Sequence, residues 1–308
     1  MATVSRALLM VGGNAGPVIP PGQIVYQTST TGGATFNFVV PPDVTSISVV
    51  CVSPGQANGS GGNLAYGNAI SVTPGETLTV VTDGPNFGQT PVASSVSRGG
   101  TVLIRAGTSR GPNSGSALSG GGIGGQGGGN PNPFAHSQPN GFGAGGAGGY
   151  TGNGGSIARD TNLNVTATGG AGGGGGRGFG LSFIQDWSNF EYYQSSGGGG
   201  GGVGLLGQGS SGTNGANAPD ATNGGVGGTG GSLGAAGTNG QNSNFIPPGG
   251  SGGDFGGGGG INGGYEWAQD NQYIAYEYGA QGAGGRGAVR IIWPGTTRQF
   301  PSTNTGNL

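Results

Sequence analysis

Residues 141–157 read GFGAGGAGGYTGNGGSI. Ala144, Ala147, Tyr150, Asn153 and Ser156 recur at every third position, with glycine filling most of the gaps. The same step appears at Val226, Thr229, Ser232, Ala235 and Thr238, and again at Ala280, Ala283 and Arg286. A period of three belongs neither to an α-helix nor to a β-strand. It is the period of the left-handed extended helix, which rises ~3.1 Å per residue and makes no internal hydrogen bonds. The backbone groups of such a helix point outward and must pair with neighbours. Glycine lets two of them pack backbone to backbone. A GGX repeat then leaves two bare faces for neighbours and one face for the X side chains.

Working outward, the glycine-rich block spans residues 107–288 and holds most of the chain's 83 glycines. It divides into seven candidate rods, at 120–129, 141–157, 169–180, 197–215, 224–240, 249–264 and 279–288. Straight rods of this size would be roughly 30–60 Å long. Collagen is a poor match, because the repeats lack proline and break at short intervals. A flexible linker would not be interrupted so regularly.

Before the block, residues 23–106 change to β patterning. Thr35-Phe36-Asn37-Phe38-Val39-Val40 alternates, and Ile47, Val49 and Cys51 share one face of the next run. Further strands flank turns at Pro74-Gly75-Glu76 and Arg98-Gly99-Gly100. After the block, Ala288–Trp293 is a strong strand with no partner nearby in sequence. The expected fold is therefore all-β plus non-regular structure with almost no α-helix. A small β-sandwich (23–106 and 289–293) would carry an inserted sandwich of packed polyglycine II-type helices (107–288). Residues 1–22 form an attachment segment, and 294–308 a polar, turn-rich tail.

Charged residues make up 6% of the chain and the net charge is −2, so no electrostatic pull toward nucleic acid or membrane is implied. The single cysteine excludes an intrachain disulfide. No segment is long and apolar enough to insert in a membrane, and residues 1–11 are too short for a signal peptide. The chain is expected to be made in a host cytoplasm.

Residues 35–50 (TFNFVVPPDVTSISVV), 70–80 (ISVTPGETLTV) and 290–305 (RIIWPGTTRQFPSTNT) bracket the glycine block. In this order they resemble the glycine-rich virion proteins of marine tailed phages. The block itself resembles the receptor-binding tip adhesins of T-even-type phages, in which stacked glycine rods display variable loops. Those adhesins carry a different attachment domain from the β-sandwich read here.

Rods have almost no side chains, so specific recognition must lie in the segments between them. These are 130–140, 158–168, 181–196, 216–223, 241–248 and 265–278. Two are aromatic. Residues 181–196 (LSFIQDWSNFEYYQSS) carry Phe183, Trp187, Phe190, Tyr192 and Tyr193; residues 265–278 (YEWAQDNQYIAYEY) carry Tyr265, Trp267, Tyr273 and Tyr276. Aromatic faces beside carboxylates and amides suit sugar rings and protein hot spots alike. The competing expectation is that they pack together as a small core capping the rods. Both ends of the block return to the β-sandwich, so antiparallel rods should be even in number. Either 108–119 is an eighth rod, or 197–215 is two, broken at Leu205-Leu206. The second option is preferred and puts both aromatic segments at the same end.

Enzymatic chemistry has little footing. His136 is the only histidine, so His-dependent triads and Cys/His metal sites lack ligands. Asp186 with Glu191, or Glu266 with Asp270 and Glu277, could supply a glycosidase pair, but carboxylates in exposed loops are common and usually solvated. No cofactor is expected. The sequence thus reads as a virion protein, a tail-fibre or tail-tip adhesin binding a host-surface glycan or outer-membrane protein. Other virion subunits would be held through residues 1–22 and the β-sandwich, with several copies on the virion supplying avidity. The alternative is a capsid-decoration or baseplate protein whose loops grip other virion subunits. Ice binding wants a flat row of Thr or Ala, and residues 226–238 offer only part of one.

Overall fold

The computed structural model describes residues 19–57, 59–85, 87, 90–108, 112–125, 143–159, 165–168, 194–195, 197–213, 215, 228–240, 242–243, 249–260, 265–269, 272–277, 281–302 and 305–306. Among them the chain is mainly β with almost no helix. The strands are β1 (Gly22–Tyr26), β2 (Ala34–Val39), β3 (Ser46–Val52), β4 (Leu64–Ser71), β5 (Thr77–Thr82), β6 (Ser95–Arg98), β7 (Thr101–Arg105), β8 (Ser156–Arg159), β9 (Val165–Thr168), β10 (Gln194–Ser195), β11 (Asn242–Ser243), β12 (Tyr265–Gln269), β13 (Gln272–Glu277) and β14 (Ala288–Trp293).

Two antiparallel four-stranded sheets hold the hydrophobic core, in the orders β1-β14-β3-β4 and β2-β5-β6-β7. The alternation in β2 turns Phe38 inward and leaves Thr35, Asn37 and Val39 exposed. Phe38, Leu78, Val80, Val96 and Ile104 from this second sheet meet Ile47, Val49, Cys51, Ile70, Val289 and Ile291 from the first. Each large apolar side chain buried this way contributes about 1.5–3 kcal/mol. The chain leaves the sheets after β7 and returns through β14, which sits between β1 and β3 with Ile291 opposite both Ile24 and Val49.

The two faces of β3 explain how the rest attaches. Every residue from Ile47 to Val52 is buried, so this strand does not alternate between core and solvent. Its second face supplies Val50 and Val52 to another core, with Leu64, Tyr66, Ala288 and Ile292. Ala147, Tyr150, Val203 and Leu205 of the glycine-rich block and Phe300 of the tail close that core. The third-position residues Ala144, Ala147 and Tyr150 are thus all buried.

Hydrogen bonds within the glycine block advance by three residues. Residues 197–204 run at its centre with neighbours on three sides. The amides of Ala144 and Ala147 donate to the carbonyls of Gly198 and Gly201; those of Gly250 and Gly253 donate to Gly197 and Gly200. The amides of Gly199 and Gly202 donate to Thr238 and Ala235, while their carbonyls accept from Gly228 and Gly231. Glycine is demanded here by proximity. A Cβ on Gly199, Gly200, Gly201 or Gly202 would fall on the backbone oxygen of Ser251, Gly145, Thr229 or Asp254, respectively.

Three of the stretches expected as single rods contain two antiparallel passes each, as does 197–215, for which two were preferred. Residues 141–157 double back at Tyr150, with Gly149 N donating to Gly152 O and Gly146 N to Gly155 O. Residues 197–215 reverse at Leu205–Gly207, so that Thr229 N and Ser232 N meet Thr213 O and Ser210 O. Residues 224–240 reverse at Ser232-Leu233, two non-glycine residues with positive φ (49° and 64°) inside a turn closed by Gly234 N and Gly231 O. Residues 249–264 reverse at Asp254–Gly256, pairing Gly257 with Gly253 and Gly260 with Gly250. Period three marks the conformation of each pass and not its length, and each reversal carries an adjacent non-glycine pair: Tyr150-Thr151, Leu205-Leu206, Ser232-Leu233 and Asp254-Phe255.

One stretch outside the block joins the glycine passes, and the segment weighed as an eighth rod lies against the strands instead. The β3–β4 connection, 53–63, is itself glycine-bearing and bonds to them through Gly55–Gly285, Gly61–Gly125 and Gly62–Gly256. Residues 112–120 run beside β7 and β4, bridging Arg105 to Ser114 and Tyr66 to Gly120.

Candidate functional site

All four reversals lie at one end of the glycine passes. Tyr150 OH donates to Gly204 O at 3.0 Å and accepts from Gly207 N at 3.3 Å. Gly204 N meets Gly231 O, and Val203 N meets Phe255 O. The tail covers this end: Thr305 Oγ1 donates to Leu206 O at 2.7 Å, and Gln208 N donates to Pro301 O.

The opposite end holds the roots of the intervening segments. One chain of hydrogen bonds joins Gly197, Gly250, Gly260 and Gly282, and neighbouring bonds join Ala144 to Gly198, Gly199 to Thr238 and Gly228, and Thr213 to Thr229. Residues 181–196 therefore arrive, at Gly197, next to the position from which 265–278 leaves and returns, between Gly260 and Gln281. Of the two arrangements weighed from the sequence, the reversal within 197–215 is the one found, and the two aromatic segments are rooted on adjacent passes.

Within 265–278, residues 265–269 and 272–277 pair as antiparallel strands, where an open loop was expected. β12 and β13 pair with Tyr265 opposite Glu277, Glu266 opposite Tyr276, Ala268 opposite Tyr273 and Gln269 opposite Gln272. The register shifts between Glu266 and Ala268, at Trp267, as in a β-bulge. Its aromatic-rich, alternating sequence suits a strand, which explains the hairpin. Phe183, Trp187, Phe190, Tyr192 and Tyr193 lie outside the described residues, as do His136, Asp186, Glu191 and Asp270. The end of their segment is placed, because Gln194 and Ser195 (β10) pair with Ser243 and Asn242 (β11). That ladder ties residues 181–196 to a third intervening segment, 241–248. A fourth, 158–168, is flanked by the β8–β9 hairpin, in which Ser156 faces Thr168.

Among the described residues no three His, Cys, Asp or Glu side chains are grouped to hold a metal. Burial pushes the Cys51 thiol far above its ordinary range, against a weaker opposing hydrogen bond with Ala106, which leaves it inert as a nucleophile. No helix among the described residues is long and apolar enough to cross a membrane.

The tail is the part that sequence reading undervalued. Its polar, turn-rich composition hides Phe300, Arg298 and Thr305, all buried. Phe300 stacks on Tyr150 with centroids 5.7 Å apart, and Asn68 fixes it through both its backbone N–H and C=O. The alternation of Arg290 within an otherwise apolar strand was the available signal. A charged residue there needs polar partners brought from elsewhere in the chain.

No family model, curated protein or solved structure matches the chain.

Proposed function

We propose that this chain is a phage virion protein, a tail-fibre or tail-tip adhesin that binds a host-surface glycan or outer-membrane protein through 181–196 and 265–278. The supporting observation is the polarity of the glycine block. Reversals and tail occupy one end, and the segments with side chains are rooted at the other, the two aromatic ones on adjacent passes. A stiff support that gathers its few large side chains at one end suits contact with a surface. Immobilising Tyr and Trp costs little conformational entropy.

In this reading the glycine passes are helices of the polyglycine II type. The three-residue step of their bonds and the three-sided surroundings of 197–204 are what such packing requires. They form a sandwich inserted between β7 and β14 of a small β-sandwich. The leader, residues 1–22, is the attachment segment. Its last residue, Gly22, lies at the reversal end, where Arg298 donates to its carbonyl at 2.7 Å.

The test is binding of fluorescently labelled protein to intact bacteria susceptible to a phage that carries it. A variant with 181–193 and 265–278 replaced by short Gly/Ser linkers is the comparison. The wild type is expected to bind and the folded variant to lose at least tenfold in cell-bound signal, the scale of ~1.4 kcal/mol. If the wild type binds no such cell, the decoration reading replaces this one.

A further inference from the structure

Two arginines meet in the interior, with no opposite charge paired to them among the described residues. Arg290 is fully buried in the middle of the first sheet, and Arg298 of the tail is 7% exposed. Arg290 donates through Nη1 to Leu205 O at 2.8 Å and through Nη2 to Gln23 Oε1 and to Gly306 O at 3.2 Å. Arg298 donates through Nη1 to Gly22 O at 2.7 Å and Trp293 O at 3.5 Å, and through Nη2 to Gly306 O at 2.8 Å. Every acceptor is neutral. Among the described residues the ion pairs are Arg98–Glu76 and Arg286–Asp254, and neither involves this pair.

Arginine does not lose its proton in proteins, so both charges remain. Burying one unpaired ion is costly, and burying two of the same sign side by side is more so. Tyr150, the nearest phenol, cannot balance them: burial drives its ionisation well above the ordinary range, keeping it neutral. One donor is also left over. Nε of Arg290 is buried and has no hydrogen-bond partner.

We propose that Arg290 and Arg298 together bind a small oxyanion of the phosphate class, which accepts from the unpartnered Nε of Arg290 and is held by the charge of both guanidiniums. Guanidinium edges match tetrahedral oxyanions through paired N–H donors. Thr296 and Thr297, which precede Arg298 in the chain, are exposed, so this part of the tail lies at the surface. The bound anion joins β1, β14, the Leu205 reversal and the tail, all of which the two guanidiniums already touch. This site lies at the reversal end and does not depend on the adhesin reading.

Inorganic phosphate is titrated into the full chain in a low-chloride Bis-Tris buffer, with sodium chloride at matched ionic strength as the reference. Calorimetry is expected to show one phosphate per chain. The Tm should rise saturably, by about 5 °C at a hundredfold excess over Kd. Arg298→Met should abolish the saturable rise, Arg298→Lys should weaken phosphate roughly tenfold by removing the fork, and Arg105→Met, at an exposed position of β7, should change nothing. A rise that is linear in phosphate and equal in wild type and the Arg298 variants would be general salt exclusion and would overturn the site. So would equal responses to phosphate and chloride in the wild type. If Arg298→Met does not fold, the calorimetric affinities of wild type and Arg298→Lys decide, and equal values overturn the proposal.

Discussion

The two sheets and the glycine passes are both hydrogen-bonded backbone, yet they hold together by opposite means. Between the sheets, cohesion comes from side chains: Leu78, Val80, Val96 and Ile104 are buried against Ile47, Val49 and Ile291. Around residues 197–204, cohesion comes from removing side chains, so that backbones approach within reach on three sides. A sheet core accommodates a smaller side chain by partial collapse, at a graded cost. Packed backbones cannot give way to a larger one, because the atoms in the path belong to neighbouring chains that are themselves bonded. The two regions should therefore respond to a single methyl group in opposite senses.

The sharpest way to break that contrast is Gly201→Ala. Its Cβ would strike the backbone of Thr229, and a loss of more than about 4 kcal/mol, or failure to fold, is expected. Urea denaturation showing a cost below about 1 kcal/mol would mean that the passes are looser than their hydrogen bonds imply. Val80→Ala, which removes atoms from the sheet core, should cost about 2–3 kcal/mol and leave a cooperative transition.

Tyr150 stands where the two regions meet. Tyr150→Phe removes the hydroxyl that bonds both Gly204 and Gly207, and about 2 kcal/mol is expected to go with it. The same residue makes stability pH-dependent. Burial raises the phenol's folded pKa, so its contribution is complete below about 10, its unfolded value, and is lost as pH rises beyond that. Tyr150→Phe should flatten the decline measured above pH 10, with the buried Cys51 thiol accounting for part of what remains.

The smallest effect is expected at the surface of the second sheet. Arg98 grips Glu76 with two bonds of 2.8 and 3.0 Å. Burial alone would raise the Glu76 carboxyl, but the Arg98 hydrogen bonds, the Thr73 amide and the Arg98 charge outweigh it and hold the group below its usual value. A lowered carboxyl stabilises above its unfolded pKa and loses that contribution as pH falls through the folded one. Glu76→Gln should cost about 0.5 kcal/mol at neutral pH, and thermal melts of the two proteins should converge on acidification.

Much of this was legible in the residues. Phe38, Ile47, Val49 and Cys51 announced the inner faces of the strands by alternation, and 288–293 announced a strand by its β-branched run. Tyr150 was legible as a third-position residue, but its burial was not, because period three gives a face without saying what that face meets. The reversal at 205 was legible from the Leu205-Leu206 break, whereas those at 150, 232 and 254 were missed, although Tyr150-Thr151, Ser232-Leu233 and Asp254-Phe255 interrupt the glycine in the same way. Of the candidate site, the aromatic segments were visible as breaks in the glycine pattern, whereas the hairpin register at Trp267 and the pairing of Gln194–Ser195 with Asn242–Ser243 were not.

By itself the sequence determined the kinds of structure this chain can adopt. Alternation dictates strands, and glycine at two positions in three leaves backbone as the only surface to pack. Which neighbours each pass bonds to, and how Arg290 and Arg298 come to share the Gly306 carbonyl, were decided only in three dimensions. Those outcomes depend on contacts between residues up to hundreds of positions apart, and a period of three looks the same whichever neighbour it is bonded to.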